Sequence, residues 1–137
     1  MQFFLDTNVL IYAAMAKSRE PIKAPRAAAL VEQGDFGISA QVLQEFFVNV
    51  TRKTPCSMPF AEAMEWISRL ETQPYATIDA AIVNEAIALS RRCQIDYRDA
   101  AILAAAESLE AEIVYSEDLR HGQRYGSVWV LNPFRPS

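Results

Sequence analysis

Short apolar segments alternate along the chain with longer stretches whose apolar residues recur at helical spacing. A brief apolar run without such a period is typical of a strand that is buried on both faces. Segments of this kind predict strands at Gln2–Leu5, Gly37–Ser39, Pro74–Ile78, Glu112–Ser116 and Val128–Leu131. Because helical patterns separate these strands, the strands are expected to pair in parallel.

The stretches between the strands carry the period of amphipathic helices. Asp6 and Asp79 offer side-chain oxygens as helix N-caps, and loops are predicted at Lys17–Pro25 and around Gly122 and Gly126. Helices are predicted over Val9–Ala16, Arg26–Gln33, Ala40–Arg52, the stripe Phe60, Met64, Ile67 and Leu70, the stripe Ile82, Ala86, Leu89 and Cys93, and the alanine-rich Tyr97–Leu109. The alternation predicts a three-layer α/β/α domain with a central, mainly parallel sheet.

Length and composition narrow the class of protein. The chain has 137 residues, so residues 1–137 are expected to form one domain, and its 51% of apolar residues excludes a disordered tail. The longest apolar run, Val9–Ala16, is far shorter than the roughly 20 residues of a membrane span, and no basic leader precedes it. We therefore expect a cytoplasmic protein without a membrane span, in which Cys56 and Cys93 are free thiols.

Acidic residues follow two of the predicted strands. Asp6 ends the first strand, and Glu117–Asp118 follow the strand Glu112–Ser116. In an open parallel sheet, binding and catalysis collect at the carboxyl ends of the strands. Each of these acids, taken alone, is also compatible with the capping of a following helix.

Two further acids lie on predicted helices. Glu45 stands about 60° outside the apolar arc of its helix, at the margin of the buried face. Asp99 shares a helical face with Ile102 and Leu103, and a carboxylate on a packed face is costly unless a partner such as a divalent cation compensates it. Asp96 precedes this helix and is interpreted as its N-cap.

Together, Asp6, Glu45, Asp99 and Asp118 form a set that metal chemistry can use. Carboxylates that are brought together either protonate or bind cations, and oxygen ligands favour Mg²⁺ or Mn²⁺. One histidine and two distant cysteines make no zinc site. The chain also lacks a Gly-x-Ser-x-Gly elbow, a phosphate loop and a dinucleotide glycine fingerprint. Metal-assisted phosphodiester hydrolysis is the reaction that these residues can support.

Positive charge is local in this sequence. With 13 basic and 17 acidic residues, the net charge of −4 argues against binding of nucleic acid by bulk charge. Basic residues nevertheless cluster in the segment 17–26, and Arg98, Arg120 and Arg124 flank the acids. This pattern fits an acidic centre with a basic rim that steers a polyanion. Arg98, Arg120 and the loop residue His121 are the candidates for contact with such a substrate.

Several segments resemble a known family. The opening Phe4–Leu10, with the sequence FLDTNVL, resembles the start of PIN domains of the VapC toxin type. The segment Tyr97–Ala106 resembles the helix that carries the third acid of these domains, and Ser116–Leu119 resembles the segment of the fourth acid. Glu45 stands where the second acid is expected. The order and spacing of the four acids make the resemblance specific, and it extends over essentially the whole chain.

The resemblance implies a PIN-like fold and an endoribonuclease that depends on Mg²⁺ or Mn²⁺. It also implies the toxin role in a toxin–antitoxin pair, with RNA as substrate, a small antitoxin that covers the cleft and assembly as a homodimer or higher oligomer. By position, Asp6 and Asp99 would be the principal metal ligands, with Asp118 and Glu45 completing the acidic centre. The polar residues Thr7, Asn8 and Ser116 would support the site. Arg98 departs from the family pattern, since relatives often carry an aromatic residue there.

Two other functions stay open at the level of sequence. A phosphohydrolase could use Asp6 as a covalent nucleophile, but such enzymes usually place an aspartate two residues later, where this chain has Asn8. A PIN-like domain could also serve as a non-catalytic module that binds RNA or a protein partner. A module of that kind would be expected to have lost at least one of the four acids.

Overall fold

The computed structural model describes residues 3–15, 19–52 and 57–135 of the chain. The strands are β1 (Phe3–Leu5), β2 (Phe36–Ser39), β3 (Tyr75–Ala76), β4 (Ile113–Tyr115), β5 (Arg124–Tyr125) and β6 (Val128–Leu131). The helices are α1 (Thr7–Ala14), α2 (Lys23–Gln33), α3 (Ala40–Arg52), α4 (Phe60–Leu70), α5 (Ala80–Cys93) and α6 (Tyr97–Ser108).

The strands form one sheet in the order β3-β2-β1-β4-β6-β5. All neighbours pair in parallel except β5 and β6, which are antiparallel. Since β1 lies between β2 and β4, the chain first adds strands on one side of β1 and later on the other. This reversal of strand order beside β1 creates a crevice at the carboxyl ends of β1 and β4.

Helices cover both faces of the sheet. α1 packs on α2 and α3, α3 packs on α4, and α5 packs on α6, which lies against β2, β4 and β6. Every residue of β1 and β2 is buried, as expected for strands that are covered on both faces. The predicted three-layer α/β/α class with a mainly parallel sheet is confirmed.

Helix α6 is the most deeply buried helix. Its residues from Ala100 to Ala106 are all buried, and five of these seven residues are alanines. Small side chains let α5 and the sheet approach the backbone of α6 closely, which fixes the position of its first turn, where Asp99 lies.

We expect Ala105→Leu to lower the free energy of unfolding by about 1–3 kcal/mol, because the added atoms have no space in a close-packed core. Ala105 is fully buried. The measurement is chemical denaturation, and the matched control is Ala88→Leu on the exposed face of α5. Equal destabilisation by the two substitutions would contradict tight packing around α6.

The sequence prediction was wrong in two loops. The segment around Gly122 and Gly126 contains the short strand β5, which pairs with β6. Helix α2 begins at Lys23 rather than Arg26, so Pro25 is its third residue. A proline in the first turn removes no helical hydrogen bond, since the N–H groups of that turn have no partner within the helix.

The predicted stripe of α4 is also only partly buried. Ala63 and Leu70 are buried, whereas Phe60 is 67% and Met64 39% exposed. Cys93 is a free, half-buried cysteine, and Cys56 lies outside the described residues. In the described part of the chain, no helix is long and apolar enough to cross a membrane.

Candidate functional site

The carboxyl ends of β1 and β4 bring together the segments that follow them. Leu5 is the register partner of Tyr115, and the Asp6 N–H donates to the Tyr115 carbonyl at 3.0 Å. The next residue along β4 is Ser116, whose buried hydroxyl donates to Asp6 Oδ2 at 2.7 Å. The sheet therefore places Asp6 and Ser116 side by side in the crevice.

Asp6 has no solvent exposure and caps the N-terminus of α1, as predicted. Its Oδ1 accepts from the Thr7 N–H at 2.7 Å. Its Oδ2 accepts from Ser116 and, at 3.4 Å, from the side chain of Asn8. A fully buried carboxylate is tolerated only with such donors or with a cationic partner, and Asp6 has both kinds of partner.

Glu45 reaches the same crevice from α3. It is half-buried at the margin of the helix face, as predicted, and its Oε1 accepts from the Thr7 hydroxyl at 2.7 Å. Gln41, one turn earlier, donates to Glu45 Oε2 at 3.3 Å and to the Arg98 carbonyl at 3.3 Å. Gln41 is not among the site residues expected from the sequence, although its four-residue spacing from Glu45 places both on one helix face.

Arg98 lies inside the acidic cluster. Its Nη2 donates to Asp6 Oδ1 at 2.8 Å and to Glu45 Oε1 at 2.6 Å. Its Nη1 donates to Asp99 Oδ1 at 3.1 Å, and its Nε donates to Glu45 Oε2 at 3.1 Å. One guanidinium thus binds three carboxylates, which come from the end of β1, from α3 and from α6. The expectation that Arg98 lies on a basic rim around the acids is therefore wrong, because Arg98 lies among them.

The cluster shifts the ionisation of its members in different directions. Burial raises the pKa of Glu45, but hydrogen bonds from Arg98 and Thr7 outweigh burial, so that this pKa is lowered overall. Burial raises the pKa of Asp99, and the Arg98 hydrogen bond offsets this only in part because the charges of Asp6 and Asp118 also raise it. Burial lowers the pKa of Arg98, but its bonds to Glu45 and Asp6 raise that pKa further above its ordinary value.

Asn8 connects the cluster to the fourth acid. Its side-chain amide donates to Asp118 Oδ2 at 3.2 Å, and its carbonyl accepts from the Glu117 N–H at 3.1 Å. The Asp118 N–H in turn donates to the Ser116 hydroxyl at 3.1 Å. These bonds hold the turn after β4 so that Asp118 faces Asp6. Thr7, Asn8 and Ser116 therefore all lie in the crevice with the four acids.

Glu117 faces away from the cluster and anchors the same turn. Its side chain accepts from the Tyr12 hydroxyl at 2.7 Å and forms an ion pair with Lys23. Burial, followed by the bond to Glu117, raises the pKa of Tyr12, and the bond to Glu117 raises the pKa of Lys23. Tyr12 and Lys23 are not among the site residues expected from the sequence. The only local signal for Tyr12 is its position one helical turn after Asn8.

Two cavities border the cluster. The larger one, of about 590 Å³, is lined by Asp99, Asp118, Asp96 and Arg120, among others. The smaller one, of about 280 Å³, is lined by Thr7, Asn8, Glu45, Asn49, Arg98 and Asp118. Asp118 borders both cavities, with Asp99 in the larger one and Glu45 in the smaller one.

Asp96 and His121, two exposed residues that the sequence singles out, have different roles. Asp96 occupies the N-cap position of α6, but its side chain makes no capping hydrogen bond, so the predicted capping role is wrong. His121 is exposed, and its Nδ1 accepts from the Asn132 N–H at 2.9 Å, which ties its loop to the segment after β6.

The donor set of the cluster fits a divalent cation in its chemistry and charge. Four carboxylates and one guanidinium leave a formal charge of 1 − 4 = −3 when all are ionised, and three of the carboxylates already bind one cationic group, the guanidinium of Arg98. In the described ranges, however, no three Asp, Glu, His or Cys side chains are arranged to hold a metal ion. The carboxylates are spaced around a guanidinium rather than around an ion.

We expect Ser116→Ala to lower the free energy of unfolding by about 1–3 kcal/mol, since hydrogen bonds to buried charged groups are costly to lose. The substitution removes the donor to Asp6 and the acceptor of the Asp118 N–H. Chemical denaturation measures the loss, and Ser68→Ala on the exposed face of α4 is the control. A Ser116→Ala protein as stable as the parent would show that Asp6 does not need this donor.

Solved structures with the same fold include several toxin–antitoxin proteins. A chain of a toxin–antitoxin complex from Klebsiella pneumoniae superposes with a TM-score of 0.73 at 19% identity, over 99% of this chain and 100% of that chain. VapC20 of Mycobacterium tuberculosis, a toxin that cleaves the sarcin-ricin loop, superposes with a TM-score of 0.67 at 16% identity, over 85% and 90%. A chain of the DNA-bound VapBC complex from Salmonella typhimurium has a TM-score of 0.67 at 20% identity, over 95% and 96%.

Sequence comparison gives the family directly. Among proteins of curated function, none matches the chain significantly. A sequence model of the PIN domain, in contrast, matches residues 3–126, which include β1 with Asp6, α3 with Glu45, α6 with Asp99 and the turn with Asp118. The resemblance that the sequence motifs indicated is confirmed, and the chain belongs to the PIN domain family.

Proposed function

We propose that this protein is a metal-dependent endoribonuclease that acts as the toxin of a toxin–antitoxin pair. The observation that carries the proposal is the convergence of Asp6, Glu45, Asp99 and Asp118 at one crevice of a PIN fold. These acids come from four separate segments of the chain, and the hydrogen bonds of Thr7, Asn8 and Ser116 hold three of them in place.

Asp6 and Asp99 would be the principal ligands of Mg²⁺ or Mn²⁺, and Glu45 and Asp118 would complete the acidic centre. Nucleases of this family generally depend on a divalent metal. When bound, the cation supplies an activated water and stabilises the charge that develops on the phosphodiester.

The protein's own residues would orient the acids and leave them accessible to RNA. Ser116 and the Thr7 N–H fix the buried carboxylate of Asp6, so that its orientation does not depend on the substrate. Asn8 and the anchored turn with Glu117 keep Asp118 at the border of both cavities. An RNA strand that lies across Asp118 would place a phosphate beside the acids, with Arg120 and His121 available on the outer rim.

The biological role is proposed from the structural neighbours, which include toxin–antitoxin proteins and one toxin that cleaves the sarcin-ricin loop. The partners of this chain would be RNA, an antitoxin that covers the crevice and a second copy of the chain, all in the cytoplasm. The net charge of −4 is consistent with a substrate that is recruited by a local basic rim rather than by bulk charge.

The test is incubation of the purified protein, free of antitoxin, with total cellular RNA and Mg²⁺ or Mn²⁺, followed by mapping of new 5′ ends. Discrete new ends that disappear with EDTA and return when metal is added back are the expected result. The positions of these ends also identify the RNA target.

Other outcomes separate the alternative functions. RNA that is bound tightly but not cleaved, with or without metal, would support a non-catalytic binding module. A phosphorylated Asp6, trapped with a phosphate ester, would support an aspartate-nucleophile phosphohydrolase. Either result would overturn the proposed nuclease.

A further inference from the structure

The position of Arg98 has a consequence for metal binding. Its Nη2 lies 2.8 Å from Asp6 Oδ1 and 2.6 Å from Glu45 Oε1, so a single nitrogen bridges the two carboxylates. A Mg²⁺ ion that bridges two carboxylate oxygens lies about 2.0–2.1 Å from each of them. The nitrogen therefore occupies the volume that an ion shared by Asp6 and Glu45 would need. Arg98 Nη1 lies 3.3 Å from Asp6 Oδ2 and 3.1 Å from Asp99 Oδ1, so the guanidinium also lies between the two residues that are proposed as the principal ligands.

The guanidinium cannot yield its place by losing its proton. Arginine stays protonated in proteins, and here Arg98 neutralises part of a cluster that would otherwise hold only negative charges. Its nitrogens form ion pairs with three of the four carboxylates, those of Asp6, Glu45 and Asp99. Metal and guanidinium are thus alternative partners of the same oxygens.

The side chain of Arg98 can leave without disturbing the core. It is the second residue of α6 and its side chain is 35% exposed, in contrast to that of Asp6, which is fully buried. The smaller cavity, with a volume of about 280 Å³, lies beside it. The exposed part of the side chain and this cavity provide space into which the Arg98 guanidinium can turn away from the acids.

We propose that the Arg98 guanidinium is an intramolecular competitor of the divalent cation, which fills the acidic cluster in the metal-free protein and must leave before the ion binds. This inference rests on the proposed metal-dependent function. It assigns to Arg98 control over the metal affinity of the site, a role that the sequence analysis did not consider for this residue.

The test measures Mn²⁺ affinity, by titration with detection of free Mn²⁺ by electron paramagnetic resonance, in the parent protein and in Arg98→Ala. If Arg98 occupies the cluster nine-tenths of the time, the parent protein binds Mn²⁺ about tenfold more weakly than a protein whose site is always open. Arg98→Ala should therefore bind Mn²⁺ about tenfold more tightly than the parent protein, or more tightly still. Arg98→Gln, which keeps an amide donor for the carboxylates, provides a second variant if Arg98→Ala does not fold. Arg120→Ala removes the same charge from the outer rim and should change the affinity much less.

Added methylguanidinium separates displacement from simple charge repulsion. In Arg98→Ala, millimolar methylguanidinium should weaken Mn²⁺ binding competitively, because it can re-enter the place of the lost side chain, whereas the parent protein should respond little. Equal Mn²⁺ affinity in the parent and in both Arg98 variants would overturn the competition while leaving metal-dependent cleavage intact. Absence of Mn²⁺ binding and of cleavage in every variant would overturn the competition and the proposed function together.

Discussion

Asp99→Asn is expected to lower the rate of RNA cleavage by at least about 10³-fold, since a bound metal contributes several kcal/mol of transition-state stabilisation. The amide keeps the shape of the side chain but lacks the charge that a principal metal ligand needs. Cleavage would be followed with a labelled RNA that contains a mapped cleavage site, at saturating Mg²⁺ or Mn²⁺.

The same substitution should not lower stability. The pKa of Asp99 is raised, by burial first and also by the charges of Asp6 and Asp118, despite the hydrogen bond from Arg98. When the pKa of an acid is higher in the folded than in the unfolded state, the ionised acid destabilises the fold. This penalty is complete at a pH above the folded-state pKa and vanishes at a pH below the unfolded-state pKa. At neutral pH the parent protein carries the penalty, and Asp99→Asn removes it.

Asp79→Asn is the matched control for this prediction. Asp79 caps α5 through a bond from the Ile82 N–H at 3.0 Å, and asparagine caps a helix about as well as aspartate. The control should therefore retain both cleavage and stability. A folded Asp99→Asn protein that cleaves RNA at the parental rate would contradict the role of Asp99, and a clear loss of stability would contradict the electrostatic argument.

The acids could be found from the sequence because their positions depend on local pattern. Asp6 and Asp118 follow short apolar strands, and the carboxyl ends of parallel strands meet at one edge whatever the details of packing. Glu45 and Asp99 were located by the periods of their helices, which decide the face on which a side chain lies. The fold class followed from the same alternation of strands and helices.

Arg98, the cationic partner of the acids, could not be placed among them from local sequence pattern. Arg98 is adjacent to Asp99 in sequence, but its bonds to Asp6 and Glu45 span 92 and 53 positions and depend on how α1, α3 and α6 meet. Strand β5 was missed for a related reason. It has two residues, too few to show a period, and it exists only because β6 offers a partner.

Asp6→Asn is expected to abolish cleavage to the same extent as Asp99→Asn but with the opposite effect on stability. Both oxygens of Asp6 accept hydrogen bonds, Oδ1 from Thr7 and Arg98 and Oδ2 from Ser116, Asn8 and Arg98. An amide group in place of either oxygen faces at least one N–H donor that cannot become an acceptor, Thr7 N–H or Arg98 at Oδ1 and Arg98 at Oδ2. Leaving buried groups unpaired in this way costs about 1–3 kcal/mol, which chemical denaturation would measure.

A double-mutant cycle identifies the origin of that loss. In Asp6→Asn the Ser116 hydroxyl can turn to accept from the new amide, but this neutral bond is weaker than the donation to the carboxylate that it replaces. Ser116→Ala therefore removes a weaker bond from Asp6→Asn than from the parent protein. Asp6→Asn and Ser116→Ala both remove the hydrogen bond that Ser116 donates to Asp6. The effects of two substitutions on the free energy of unfolding are not additive when both remove the same bond. The double variant should therefore lose less stability than the sum of the single losses. Strict additivity would mean that Asp6 is stabilised by its other donors alone, and that Ser116 acts only on the turn that carries Asp118.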